Sequence, residues 1–95
     1  MPGLIWSAPA RQDLRTINGW LRENRSPDVA QRRLVSLRAR ADLLTRFPHA
    51  GRPVGDGFRV LKIYDTPYLL VYQLGEQDVE IVRIRHERED WLVTP

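Results

Sequence analysis

The sequence predicts an α+β domain in which an N-terminal strand and an antiparallel helix hairpin precede a small antiparallel sheet, in the order β-α-α-β-β-β. Three observations carry this. Ala10, Leu14, Ile17 and Leu21 recur at spacings of four, three and four, which marks one face of a helix. Ser26-Pro27-Asp28 interrupts that pattern and restarts it. From Phe58 onward, short apolar segments alternate with turn-forming residues, as strands do.

Each element follows in turn. Leu4-Ile5-Trp6 is a short apolar run suited to an opening strand. Ser7 stands where a hydroxyl can cap the first helix, and Pro9 falls in the first turn, where a missing N–H does no harm. Trp20 adjoins Leu21 at the rim of the apolar stripe and is expected in the core. At the second helix, Ser26 is the natural cap, Pro27 takes the first position and Asp28 complements the helix dipole. Ala30, Leu34, Leu37, Ala41 and Leu44 form its stripe, which ends near Phe47-Pro48. So short a connection forces the two helices into an antiparallel hairpin.

The stretch from Pro48 to Gly57 holds three glycines and two prolines and is expected to continue neither neighbouring element. Strands are expected near 58–64, 68–74 and 79–85, with connections short enough to require antiparallel pairing. Alternation on the last strand places Val82 and Ile84 on one face and Arg83 and Arg85 on the other. On the strand near 58–64, Phe58 and Val60 compete with Leu61 and Ile63, which leaves the direction of Arg59 open. One sheet face is expected against the helices and one partly open.

A chain of 95 residues makes one domain, 1–95, near the lower end of sizes that bury a self-sufficient core. At 42% hydrophobic and 28% charged, the composition fits neither a disordered nor a membrane protein. No apolar run approaches the roughly eighteen residues of a membrane span, and the first residues lack a signal-peptide pattern. Without cysteine there is no disulfide or thiolate chemistry. Cytoplasm is the expected compartment. Residues 1–56 carry a net charge of +5 and residues 57–95 a net charge of −2, so the excess positive charge sits on the helical half. Of the fifteen basic residues only Lys62 is lysine. Arginine's planar fork suits phosphate and carboxylate alike. Nucleic acid and an acidic protein surface both remain open as partners, and arginine-rich codon usage accounts for the same excess.

The polar cluster at the end of the last strand, Arg83, Arg85, His86, Glu87, Arg88, Glu89 and Asp90 before Trp91, is the place to look for function. His86 has the one side chain there whose ordinary pKa suits proton transfer near neutrality. A lone histidine at a strand end is also an ordinary turn residue. Arg88 among its acids reads equally well as a solvated turn, Arg59 as a partner of Asp56, and Tyr68 and Tyr72 as sheet packing. His49 has no metal partner at a recognisable spacing, and no glycine run leads into a phosphate loop, so no metal or cofactor is assigned.

Taken together these residues resemble the RelE/ParE superfamily of bacterial toxins. The resemblance rests on Ser7, Ala10, Asp13, Leu14 and Ile17, then Pro48, Gly51 and Arg52, then Phe58-Arg59, Tyr68, Tyr72 and the run from Val82 to Trp91. It spans nearly the whole chain. It implies the toxin half of a toxin–antitoxin module, held in a hetero-oligomer by a cognate antitoxin, with no membrane partner. Two activities share the scaffold. RelE-like members are ribosome-dependent nucleases that cut mRNA. ParE-like members poison DNA gyrase without being nucleases.

For the nuclease alternative, Arg59, Arg85 and His86 are the candidate catalytic residues, supplying charge stabilisation and proton transfer. RelE-like nucleases tend to end with a tyrosine, where this chain has Trp91, whose indole stacks on a base but exchanges no proton. Three nearby acids, Glu87, Glu89 and Asp90, oppose a phosphate backbone. The ending is closer to the ParE side. Arg83, Arg85, His86, Arg88 and Trp91 are therefore expected to contact a protein target, gyrase, and the chain is expected not to be an enzyme. The expected antitoxin contacts are Leu14, Leu21, Arg33, Leu37 and Arg40 on the helix hairpin.

Overall fold

The computed structural model describes residues 3–64 and 66–87. Its elements are β1 (Gly3–Trp6), α1 (Ala8–Asn24), α2 (Pro27–Leu43), β2 (Arg52–Gly55), β3 (Phe58–Lys62), β4 (Tyr68–Leu74) and β5 (Asp78–His86). The strands form one sheet in the order β1-β5-β4-β3-β2. The α+β class and the helix hairpin agree with the expectation from sequence.

Both helices start as their caps dictate. Ser7 Oγ accepts from the Ala10 N–H at 3.1 Å, and Ser26 Oγ accepts from the Val29 N–H at 3.1 Å, each satisfying an otherwise unpaired first-turn donor. The Ser7 hydroxyl also donates to the Val82 carbonyl at 2.7 Å, which ties the start of α1 to the far end of the chain. Ala10 from α1, with Leu37, Ala41 and Leu44 from and beyond α2, closes over one sheet face supplied by Leu61, Ile63, Leu70, Tyr72, Val79, Ile81 and Ile84. Ala10, Ala41, Leu37 and Leu44 are all fully buried. The alanines leave room for the helices to lie close to the strands.

Three features of the sheet differ from expectation. It is mixed rather than wholly antiparallel, because β1 pairs in parallel with β5, Leu4 beside Val79 and Trp6 beside Ile81. The supposed loop contains β2, which forms a hairpin with β3. Gly55, Asp56 and Gly57 make its turn with φ of 101°, 55° and 82°, left-handed values that glycine and aspartate tolerate best. Pro53 is accommodated because β2 is an edge strand. Finally, the pairing of β4 with β5 shifts register, Val71 facing Arg83 but Tyr72 facing Ile81. Val82 is the extra residue of a β-bulge. The buried set on β5 is thus Val79, Ile81 and Ile84, and Val82 does not continue the face of Ile84 as strict alternation would require.

Candidate functional site

Paired residues on neighbouring strands share a sheet face, so the β4 partners locate each candidate. His86 pairs with Tyr68 on the helix side, and the two rings meet edge to face, centroids 5.9 Å apart at 83°. Arg85 pairs with Leu69 on the opposite, open face. Arg59 pairs with Tyr72, and its guanidinium donates to the Gly51 carbonyl at 2.7 Å and to the His49 carbonyl at 3.5 Å. That settles the direction of Arg59: it clamps the segment before β2. Tyr68 and Tyr72 lie four residues apart, and Arg59 and His86 lie on the strands flanking β4. The two side chains are therefore rooted about 13 Å apart along the strand and about 10 Å apart across it.

Arg83 is held by α1. Its Nε and Nη2 donate to the two carboxylate oxygens of Asp13 at 2.8 and 3.0 Å, and the Ile84 N–H donates to Asp13 Oδ2 at 2.9 Å. Beyond Trp6, where β1 ends, Asp13 takes over the edge of β5 as acceptor. Arg88 and Trp91 lie outside the described residues.

The end of β5 opens onto a groove of about 440 Å³ lined by Ile17, Trp20 and Leu21 of α1, Arg25, Val29 and Arg33, and Pro67, Tyr68 and His86. The Glu87 N–H donates to the Pro67 carbonyl at 2.7 Å, fixing the strand exit to the groove wall. Burial pushes the Tyr68 phenol above its ordinary pKa, an effect that the nearby Arg33 charge partly offsets. Both tyrosines are neutral at physiological pH. Glu87 pairs with Lys62 on the other side of the exit.

The hairpin residues expected to meet a partner divide. Leu21 and Leu37 are core, at 5% and 0% exposure, and present almost nothing to a second protein. Leu14 is half-buried and packs against the core. Arg33 lines the groove. Arg40 donates to the Lys62 carbonyl at 2.9 Å and lies over the Tyr64 ring at 4.4 Å, which stiffens the link from α2 to β3. Trp20, expected in the core, is 53% exposed instead: the hairpin turns it to the groove rim, one position off the buried stripe. Among the described residues no group of His, Cys, Asp and Glu could hold a metal ion, and no helix is long and apolar enough to cross a membrane.

The family model described as ParE toxin of type II toxin-antitoxin system, parDE, matches residues 4–91. The chain belongs to the ParE toxin family. Toxin RelE2 of Caulobacter vibrioides is 35% identical over 86 residues, 90% of this chain and 96% of that protein. Toxin RelE1 of the same bacterium is 35% identical over 88 residues, covering 90% and 94%. A solved structure titled as the chromosomal ParDE TA system from P. aeruginosa superimposes with a TM-score of 0.82 over 90% of this chain and 96% of that one, at 22% identity, which speaks to the fold. As a ParE-family toxin of a type II system, the protein has an antitoxin for partner. Within that family frame, sequence reasoning missed two parts of the site. Asp13 carried no signal of its link to Arg83, which lies 70 residues away. Trp20 carried one: a large apolar residue adjacent to a complete stripe has nowhere inside to go.

Proposed function

We propose that this ParE-family toxin acts by docking on DNA gyrase through the end of β5, with Arg85, His86 and the following Arg88 and Trp91 as contacts, and that its antitoxin neutralises it in a hetero-oligomeric complex. The observation that carries this reading is the dispersal of the would-be nuclease residues. Cutting RNA by its own 2′-hydroxyl needs a proton acceptor and cations converging on one phosphate. Here Arg59 is committed to two backbone carbonyls, Arg85 lies on one sheet face and His86 on the other. Arginine, histidine and tryptophan at a strand exit instead suit a protein interface, where aromatic and arginine anchors dominate. Acting on gyrase places the protein in the cytoplasm.

The RelE names of its Caulobacter relatives make ribosome-dependent mRNA cleavage the alternative to separate. Purified toxin is mixed with gyrase, ATP and supercoiled plasmid, and in parallel with translating ribosomes. Trapped gyrase–DNA cleavage products with intact mRNA are expected. Cut mRNA without trapped gyrase would sink the proposal.

A further inference from the structure

We infer that the pole of the molecule opposite the β5 exit is an interface for a second copy of this chain, in which Phe47 of each protomer enters a hollow beside the β4–β5 turn of the other. β5 runs from Asp78 to His86, so its two ends lie about 26 Å apart. The pole at its start carries a knob and a hollow side by side. The knob is Phe47, 57% exposed just beyond the end of α2. It stands on a fixed base: the Phe47 N–H donates to the Leu43 carbonyl at 2.9 Å, the Ala50 N–H to the Phe47 carbonyl at 3.0 Å, and the Tyr72 hydroxyl to the Pro48 carbonyl at 2.8 Å. Little backbone freedom is left to lose on association. The hollow, about 590 Å³, lies between Pro48-His49 and the turn from Gly75 to Asp78. That turn is held as well, by bonds from the Gly75 N–H to the Asp78 carbonyl at 2.7 Å and from the Gly3 N–H to the Gln77 carbonyl at 3.2 Å. Such a volume takes a phenyl ring and the stem of an arginine.

The charges select the occupant. Arg46 stands beside the knob, and Glu76 and Asp78 edge the hollow. Among the described residues these three are exposed and enter no ion pair. A wholly acidic partner would suit Arg46 and be repelled by the two carboxylates, and a wholly basic one the reverse. A second copy brings both signs in the matching arrangement. Pro48 and His49 border knob and hollow alike, so a two-fold axis beside them sets each Phe47 against the other copy's hollow, and Arg46 against Glu76, twice in one operation. Burying about a tenth of each copy's 6259 Å² surface would give ~1,200 Å² in all, the lower end for a specific interface, so a micromolar association is expected rather than an obligate dimer. The contact is independent of the target, and both β5 exits stay uncovered.

Purified toxin is followed by sedimentation equilibrium from about 1 to 200 µM. A monomer–dimer equilibrium is expected, weakened at least about ten-fold by Phe47→Ala. Arg46→Glu and Glu76→Arg should each weaken it too, and the double variant should return to within about three-fold of wild type, the signature of direct contact between the two positions. A toxin that stays monomeric throughout overturns the inference, as does a dimer that Phe47→Ala leaves intact. A double variant no tighter than the single ones overturns it as well, and so does growth beyond the dimer, which would mean head-to-tail contact. The chain has no cysteine, so Phe47→Cys gives a single reporter for a maleimide; protection found only in the complex with the antitoxin would assign the pole to that partner and overturn the inference. Circular dichroism checks that Phe47→Ala folds, and the charge swap, confined to exposed residues, decides the matter without it.

Discussion

Replacing Tyr72 with phenylalanine keeps a fully buried ring in place and removes only its hydroxyl. That oxygen accepts from the Gly51 N–H and donates to the Pro48 carbonyl, each at 2.8 Å, and so pins the segment leading into β2 to the middle of the sheet. Gly51 is itself buried, so the variant leaves its N–H without this acceptor. An orphaned buried donor costs about 1–3 kcal/mol and a lost neutral hydrogen bond about 1 kcal/mol, giving roughly 2–4 kcal/mol in all. For a domain of this size that is a fall in Tm of roughly 10–30 °C. Urea unfolding should show a lower midpoint with an unchanged slope. The same hydroxyl predicts a pH dependence. Burial raises the Tyr72 pKa, and the Gly51 N–H and Arg59 only partly offset it. A raised folded-state pKa means the folded protein holds the proton more tightly. The stabilisation is complete below the unfolded value near 10 and is lost as pH rises through the folded-state value. The margin between wild type and Tyr72→Phe should therefore stay constant up to about pH 10 and shrink above it. Tyr68 has a raised pKa too but is common to both proteins and cancels. A destabilisation under about 0.5 kcal/mol, or a margin that widens in alkali, would refute the role given to this hydroxyl.

Other perturbations test the remaining contacts. Asp13→Ala removes the acceptor of two charge-assisted bonds from Arg83 and one from the Ile84 N–H; a loss of about 2–4 kcal/mol in chemical unfolding is expected, with Asp13→Asn in between because its amide oxygen can still serve Ile84. Gly51→Ala would place a Cβ 2.7 Å from the Tyr72 hydroxyl and from the Val60 carbonyl; a thermal melt should show a loss of about 1–3 kcal/mol. Arg85→Ala and His86→Ala, neither of which holds the core together, are expected to leave Tm within a few degrees of wild type and to reduce trapped gyrase–DNA complexes at least about ten-fold. Wild-type trapping by both variants would move the docking surface elsewhere.

The helices were legible because a period of 3.6 over seventeen residues, bounded by serine caps and prolines, admits one reading. Strand β2 was not, because Arg52-Pro-Val-Gly is punctuation by composition and becomes a strand only when β3 offers a partner. The bulge at Val82 left a trace: Val79, Ile81 and Ile84 are buried at spacings of two and then three, which no regular strand permits. The parallel docking of β1 left none, since a four-residue strand carries no information about direction. At the site, the chemistry of His86 and the arginines was visible but their dispersal was not. One bulge sets which β5 side chains face the helices, and that depends on pairing with β4 rather than on β5 alone. Similarly, Leu21 and Leu37 looked available to a partner because a helical stripe says which face is apolar, not what already covers it.

The placement of β1 beside β5 has a bearing on synthesis. Among the described residues the first strand is docked by the last, some 75 residues later, and the Ser7–Val82 bond closes the same circuit. β5 also supplies Val79, Ile81 and Ile84 to the core. A nascent chain therefore lacks one wall of its interior until the last strand emerges, and so distant a contact forms late. Fragments that stop short of β5 are expected to be degraded instead of poisoning the cell that makes them, so that toxicity belongs only to copies that carry this strand.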